Sequence, residues 1–390
     1  MVRTRRNFTE IQKALDKPEP AGGAFLIHWT SRNEKDRPGY GALGIRDPAV
    51  LETYKEELLW AFDFLTQTLS LIQPAVLPVE VYVFEPAEED GDSSPQTVPR
   101  LVGDRKTLLS VVLPSRTPVP NPESERAYLR AAAVHEVAHV VCFGQAAFGS
   151  AISFPWAWFA EGTAEWLCLY RLRQTDPNNV ATFEFLLDWV DYPELSLNQE
   201  PDWYTAAMFV DYLVRRYSLD VLGAIWRQAS PDNEPWSVIK PLTGASNLFL
   251  DFCLDAYALN ESAPDLFARF GPRGREYTLA ALASRSETVF KGKVRNFGCR
   301  YFAIVTQTGS QRFSVAVQTQ EERVRAAVLA VNSDYKRVGP TLFLSGQDQV
   351  LDPADYPGLD HLAVAVTTEP EQSDPDLSEQ LRFELRFKGL

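Results

Sequence analysis

Cysteine, histidine and methionine are all scarce in this sequence of 390 residues, which holds four, four and two of them. The four cysteines stand far apart and none forms a CxxC pair, so we predict neither a disulfide framework nor a cysteine zinc site. No apolar run is long enough to span a membrane. The basic N-terminal residues are not followed by the apolar segment of a signal peptide. We therefore expect a cytoplasmic protein, or a secreted one whose leader has been removed.

The charge balance excludes one large class of partners. There are 52 acidic and 38 basic residues, and the net charge of −14 disfavours binding to nucleic acid. An acidic, solvated surface is the simpler interpretation of this charge. The hydrophobic fraction of 45% is enough to bury sizeable cores, and the length suits two or three domains.

Two short segments carry the chemistry that the sequence suggests. In HEVAH, His135 and His139 are four positions apart, so on a helix they share one face and can bind one metal ion. Glu136 lies on nearly the same face and can act as a base without being a ligand. A catalytic zinc site needs a third protein ligand. The segment WFAEGTAEW offers Glu161 and Glu165 for that role.

HEVAH followed by WFAEGTAEW resembles the gluzincin zinc peptidases, the thermolysin-like and aminopeptidase-like group. The resemblance implies one catalytic Zn²⁺ bound by His135, His139 and Glu161, because Glu161 falls on the ligand position of that group's N-E-G-x-A-type motif. Metzincins fit less well, since their longer motif has glycine and histidine where this chain has Cys142 and Gln145.

Two further roles follow from the same resemblance. Glu165 would accept a hydrogen bond from the free ring N–H of a zinc-bound histidine and so fix its tautomer. The alternative is a glutamate that faces solvent. Tyr204, at the start of a helix predicted over 203–217, would donate a hydrogen bond to the oxyanion that forms during hydrolysis. Its alternative is an aromatic anchor for that helix.

We predict an α+β fold with two domains. Residues 1–287 would form a thermolysin-like peptidase domain, with a mixed sheet in 1–122 and a helical part in 123–287. Residues 288–390 contain short alternating runs that predict an accessory β-sandwich. The resemblance also implies that a strand at 108–113 forms the sheet edge that pairs with extended substrate. The alternative is an interior strand.

The sequence therefore predicts a zinc-dependent peptidase in which Glu136 is the general base for a metal-activated water, acting on a protein or peptide. We favour an endopeptidase over an aminopeptidase. Aminopeptidases of the resembling group supply an acidic group for the substrate's amine upstream of the zinc motif, and here residues 103–115 offer only Asp104. A binding or scaffold protein with structural zinc is the alternative from another class. An intact Glu136 argues against it, because a structural site needs no base.

Overall fold

The computed structural model shows an α+β protein that divides into two compact units. One unit comprises residues 1–183 and 219–233, and the other comprises 184–218 and 234–390. The structure describes residues 17–29, 42–43, 45, 47, 49–74, 76–86, 96–102, 106–114, 122–145, 154–175, 194, 196–198, 202–258, 277–279, 287–305, 312–370 and 380–390. No helix in these ranges is both long and apolar enough to cross a membrane.

The described helices, in chain order, are α1 Ala49–Asp63, α2 Pro122–Gly144, α3 Phe154–Thr175, α4 Ala207–Tyr217, α5 Leu219–Arg227, α6 Pro235–Thr243 and α7 Leu248–Tyr257. The described strands are β1 Lys17–Ala21, β2 Phe25–Trp29, β3 Ala42–Leu43, β4 Val79–Pro86, β5 Gln96–Val102, β6 Lys106–Pro114, β7 Tyr277–Leu279, β8 Glu287–Arg295, β9 Cys299–Val305, β10 Phe313–Gln318, β11 Val324–Val331, β12 Leu342–Leu344, β13 Gln349–Leu351, β14 His361–Thr368 and β15 Gln380–Gly389.

The first unit contains a mixed six-stranded sheet in the order β1-β2-β4-β6-β5, with β3 paired to β4. The β2–β4 and β4–β6 pairs are parallel, whereas β5 runs antiparallel to β6. The strand predicted at 108–113 exists as β6, but its predicted position at the sheet edge is wrong. Among the described strands, β5 lies outside it and forms that edge. Because β5 contains Pro99, which cannot donate to a ladder, an edge position suits it.

Helix α2 packs against α1, against α3 and against strands β5 and β6 of this sheet. Asp47 caps α1, accepting a bond of 2.9 Å from the Ala49 N–H. The α-helix ends at Asp63, and a wider π-helical turn follows at Phe64–Thr68. Buried alanines on α2 let its neighbours approach closely; they are Ala131, Ala132, Ala133 and Ala138.

A buried ion cluster joins these three helices. Glu57 of α1 is fully buried, and its carboxylate accepts two bonds from Arg171 of α3, at 2.7 and 3.3 Å. Arg130 of α2 lies 3.1 Å from the same carboxylate. A buried carboxylate is tolerated only when cations and donors surround it, so this cluster fixes how α2 and α3 sit relative to α1.

The second unit contains two largely antiparallel sheets, in the orders β13-β10-β15-β8 and β12-β11-β14-β9-β7. Val315 and Leu385 of the first sheet share one hydrophobic core with Val328 and Val364 of the second. Two sheets that share a core in this way have the layered arrangement of a β-sandwich. The strands predicted from alternating patterns correspond to β9, β10, β11, β14 and β15.

The unit boundary does not coincide with the predicted boundary at residues 287 and 288. Helices α4, α6 and α7 group with the two C-terminal sheets. Trp236 of α6 and Phe249 of α7 each pack against Phe297, with ring centroids 5.5 Å apart. The Tyr301 hydroxyl donates to the Cys253 carbonyl oxygen at 2.7 Å. Strand β7 also lies within residues 123–287, which were predicted to be helical.

Candidate metal centre

Helices α2 and α3 bring the three predicted metal ligands together. Nε2 of His135 lies 2.9 Å from Nε2 of His139. Oε2 of Glu161 lies 3.2 Å from the first of these nitrogens and 3.3 Å from the second. The two histidines occupy adjacent turns on one face of α2, as their spacing predicts. Glu161, from α3, closes the triangle of ligand atoms.

The geometry of this triangle fits a zinc ion. Ligands about 2.0 to 2.1 Å from a tetrahedral zinc lie roughly 3.3 Å from one another. Oε2 of Glu161 is buried, and among the described residues the ring nitrogens of His135 and His139 face it at 3.2 and 3.3 Å. Electron pairs that face one another at this separation repel unless a cation or a proton lies between them. Two imidazole nitrogens and a carboxylate oxygen are also a donor set that zinc accepts.

The second ring nitrogen of His135 faces a different partner. Its Nδ1 lies 2.9 Å from Oε1 of Glu165, a carboxylate that is only 6% exposed. The structure thus brings Glu165 to the position where it can accept the ring N–H, rather than to the solvent. With a proton on Nδ1, the Nε2 lone pair of His135 is directed at the ligand triangle.

Cys168 is a neighbour of His135 that the sequence did not indicate. It forms a second group of close ligand atoms with His135 and Glu165. Its thiol donates to the Ala131 carbonyl oxygen at 3.1 Å, which links α3 to α2. Burial raises the pKa of the Cys168 thiol to about 12, so at neutral pH the thiol keeps its proton and acts as a donor.

The electrostatics of the cluster favour positive charge. Burial raises the pKa of Glu161, but the imidazoles of His139 and His135 outweigh burial and hold that pKa well below its usual range. Burial lowers the pKa of His135, but hydrogen bonds with Cys168, Glu161 and Glu165 outweigh it and raise that pKa well above its ordinary value. A site that stabilises both a carboxylate and added positive charge is suited to a cation.

Glu136, the predicted base, is 3% exposed and lies against the edge strand. The Thr97 hydroxyl of β5 is 2.6 Å from Oε2 of Glu136 and 3.0 Å from its carbonyl oxygen. Burial raises the pKa of Glu136, while His135, His139 and the Thr97 hydroxyl act in the opposite direction. Sequence reasoning missed Thr97 because the contact joins positions 39 residues apart. The only sequence signal was a short β-rich run interrupted by Pro99.

Tyr204 and the other two histidines lie in other elements of the structure. Tyr204 lies in a 3-10 turn, Asp202–Ala206, which precedes α4 rather than opening it, and it belongs to the second unit. Its side chain is 40% exposed. His28 of β2 stacks on Tyr82 of β4. His361 contacts the Tyr257 hydroxyl through Nε2 and Asp360 through Nδ1, each at 2.8 Å. Asp104 lies outside the described residues.

Comparison with known proteins places the chain in one family. Residues 121–332 match the family described as "Family of unknown function (DUF6055)", and the chain belongs to it. That span contains both metal-site helices and Tyr204. No curated protein matches.

Solved structures resemble the chain only weakly. The periplasmic g-type lysozyme inhibitor PliG of Aeromonas hydrophila is 12% identical over 30% of this chain and 96% of its own, with a TM-score of 0.22. PliG of Salmonella Typhimurium is 9% identical over 30% and 99%, with a TM-score of 0.21. IMPa of Pseudomonas aeruginosa, solved with an O-glycopeptide, is 14% identical over 36% and 20%, with a TM-score of 0.20.

Proposed function

We propose that this protein is a zinc-dependent peptidase of the gluzincin type that cleaves peptide bonds within a protein or peptide chain. The observation that carries the proposal is the triangle of His135 Nε2, His139 Nε2 and Glu161 Oε2, with edges of 2.9 to 3.3 Å. The buried carboxylate of Glu136 follows His135 on the same helix. Two ring nitrogens, a carboxylate oxygen and a neighbouring buried carboxylate together support a role in metal-assisted hydrolysis.

A zinc ion at this triangle would supply a Lewis acid that polarises the scissile carbonyl and lowers the pKa of water. Glu136 takes the proton of the attacking water and delivers it to the leaving amine. Its burial supports this role, because burial raises its pKa and so makes the carboxylate a better proton acceptor. Glu165 holds the His135 ring in one tautomer through Nδ1.

The fold around the triangle supports the same proposed function. A thermolysin-like domain would combine the mixed sheet with helices α1 to α3, and the edge strand β5 would pair with an extended substrate through its free backbone groups. We propose Tyr204 as the donor to the developing oxyanion. We propose the two C-terminal sheets as a β-sandwich accessory region, and an endopeptidase remains our preference over an aminopeptidase.

The decisive experiment pairs metal analysis with one substitution. The purified protein should contain one zinc per chain and should cleave an unstructured protein such as casein, and a chelator should abolish the cleavage. Glu136→Gln should keep the zinc, because Glu136 is not a ligand, but should lower kcat by roughly 100- to 10,000-fold, as loss of a general base does. Glu161→Gln is the matched control, which should lose zinc as well as activity.

A scaffold protein with structural zinc is the competing function. It predicts that zinc binds and stabilises the fold, that no peptide is cleaved, and that Glu136→Gln has no consequence. If the wild type cleaves casein and Glu136→Gln cleaves it equally fast, the chemistry lies elsewhere and the peptidase proposal is wrong.

A further inference from the structure

The edge strand contributes a side chain to the candidate site that neither the motif nor the family description assigns. Thr97 lies on β5, opposite Val111 of β6, whose side chain is fully buried. Residues directly opposite in an antiparallel pair project to the same face of a sheet. Helix α2 packs on β5 and β6, so this face is the one that the helix covers. Thr97 therefore reaches Glu136 from the sheet.

The contact with Glu136 is short and charge-assisted. The hydroxyl lies 2.6 Å from Oε2, within the range for an O–H donor bound to a carboxylate. It also lies 3.0 Å from the Glu136 carbonyl oxygen. A hydroxyl carries one proton, and the closer carboxylate is the stronger acceptor, so the proton goes to Oε2. The second carboxylate oxygen, Oε1, is then left for the proton of the attacking water.

A glutamate side chain loses considerable rotamer freedom when it is held in one conformation. Glu136 is 3% exposed, so solvent does not set its orientation. A base must lie within hydrogen-bond reach of the proton that it removes, and misplacement by about 1 Å can cost roughly 100-fold in rate. Among the described contacts of Glu136, the hydrogen bond from the Thr97 hydroxyl fixes which carboxylate oxygen faces away from the attacking water.

We propose that Thr97 is a positioning residue for the peptidase reaction, and that it orients the Glu136 carboxylate from the strand that forms the substrate-binding edge. The proposal rests on the proposed peptidase function. It also links two parts of the site: the backbone of β5 would pair with substrate, while a side chain of the same strand holds the base. Pairing of a substrate with β5 would thereby hold the Glu136 carboxylate in its orientation during the reaction.

The kinetic test compares Thr97→Val, which removes the hydroxyl at nearly constant volume, with Thr97→Ser, which keeps it. We expect Thr97→Val to lower kcat about 10- to 100-fold, with KM changed by less than about threefold and zinc content unchanged. Thr97→Ser should recover most of the rate. Thr66→Val is the control, since Thr66 is a buried threonine whose hydroxyl donates to the Phe62 carbonyl oxygen and to no described residue of the site.

A second readout does not depend on catalysis. In metal-free protein, Thr97→Val should lower the urea midpoint less in a Glu136→Ala background than in the wild-type chain, because the carboxylate acceptor is already gone. Equal shifts in both backgrounds would overturn the contact. A Thr97→Val enzyme with kcat within twofold of wild type, or one that Thr97→Ser fails to rescue, would overturn the positioning role. A wild-type protein that cleaves nothing would refute the peptidase function and this role with it, while the urea experiment would still decide whether the contact forms.

Discussion

Nδ1 of His135 lies 2.9 Å from Oε1 of Glu165, while the other nitrogen of the same ring faces His139 and Glu161. The two carboxylates of α3, one helical turn apart, thus bind opposite sides of one imidazole. In the proposed zinc site, Glu161 would be a ligand and Glu165 would orient a ligand. The helical spacing of the two glutamates would then define both the metal position and the tautomer of the histidine.

The role of Glu165 can be measured as metal affinity. Loss of a carboxylate that orients a metal-bound histidine typically weakens metal binding about 10- to 100-fold. Glu165→Gln should therefore raise the zinc dissociation constant by that factor in a competition titration with a coloured chelator. Glu52→Gln, which changes a glutamate with a side chain that is 75% exposed, is the control and should leave it unchanged. Unaltered affinity in Glu165→Gln would show that the contact does not support the site.

The ion cluster of α1, α2 and α3 predicts that substitutions at two adjacent glutamates lower the free energy of unfolding by different amounts. Glu57 is fully buried between Arg171 and Arg130, whereas the side chain of Glu56 is 55% exposed. Removing one partner of a buried pair strands the opposite charge and costs about 3 kcal/mol or more. An exposed pair contributes less than about 1 kcal/mol. Glu57→Gln should lower the urea unfolding free energy by the larger amount and Glu56→Gln by the smaller. Equal effects would contradict the assigned burial.

Thiol accessibility provides a test of the packing in both units. All four cysteines are free and buried. Burial raises the pKa of Cys142 well above the usual range of a thiol, which suppresses the reactive thiolate at mild pH. Ellman's reagent should therefore label fewer than about one thiol per folded chain within minutes at pH 8. In denaturant it should label all four. Fast reaction of two or more thiols in the native protein would contradict this packing.

The same burial predicts a loss of stability in alkali. Cys142 and Tyr54 both have a folded-state pKa raised by burial above the ordinary values of 9.0 and 10.0. Between the unfolded and folded pKa values, the folded chain holds protons that the unfolded chain has released. Stability from these groups is therefore full below about pH 9 and decreases as the pH rises further. The urea midpoint should fall steadily between pH 9 and 11, and a midpoint that rises there would contradict the burial of these groups.

The helical motif was predictable from the sequence because its geometry is local. A spacing of four residues on α2 fixes the relation of His135 to His139 in any fold, and the same spacing on α3 fixes Glu161 and Glu165. The edge position of β5 was not predictable in this way. Which strand lies outermost depends on pairing between distant segments, and a short run that contains Pro99 gave a weak strand pattern. Thr97 was missed for the same reason.

The grouping of helices with the C-terminal sheets was likewise invisible in the sequence. Periodicity shows which face of α6 or α7 is apolar, but it does not show which element covers that face. In the structure, Phe297 covers Trp236 and Phe249. A boundary drawn where the hydrophobic period changes from helix to strand therefore separates elements that share a core.

This grouping changes what a truncation should do. A chain ending at residue 283 would keep α6 and α7 but lose Phe297, Tyr301 and His361, which pack against them. Several large aromatic side chains would become exposed, each at a cost of about 2 to 3 kcal/mol. We expect such a chain to bind a hydrophobic dye and to aggregate. A monomeric, cooperatively unfolding product would show that the helices do not need the C-terminal sheets.

Tyr204 tests whether the second unit contributes to catalysis. Because its side chain is 40% exposed, Tyr204→Phe should change the unfolding free energy by less than about 0.5 kcal/mol. If its hydroxyl donates to the developing oxyanion, the same change should lower kcat by about 10- to 1,000-fold, with zinc content unchanged, because one donor is lost while the metal still polarises the carbonyl. Glu136→Gln should lower kcat by at least as large a factor, since it removes the acceptor of the water's proton. Steady-state kinetics on one peptide substrate, with zinc measured for each variant, would establish the order. A Tyr204→Phe enzyme as fast as wild type would remove Tyr204 from the mechanism and leave the base and the metal ligands, all in the first unit, to account for the reaction.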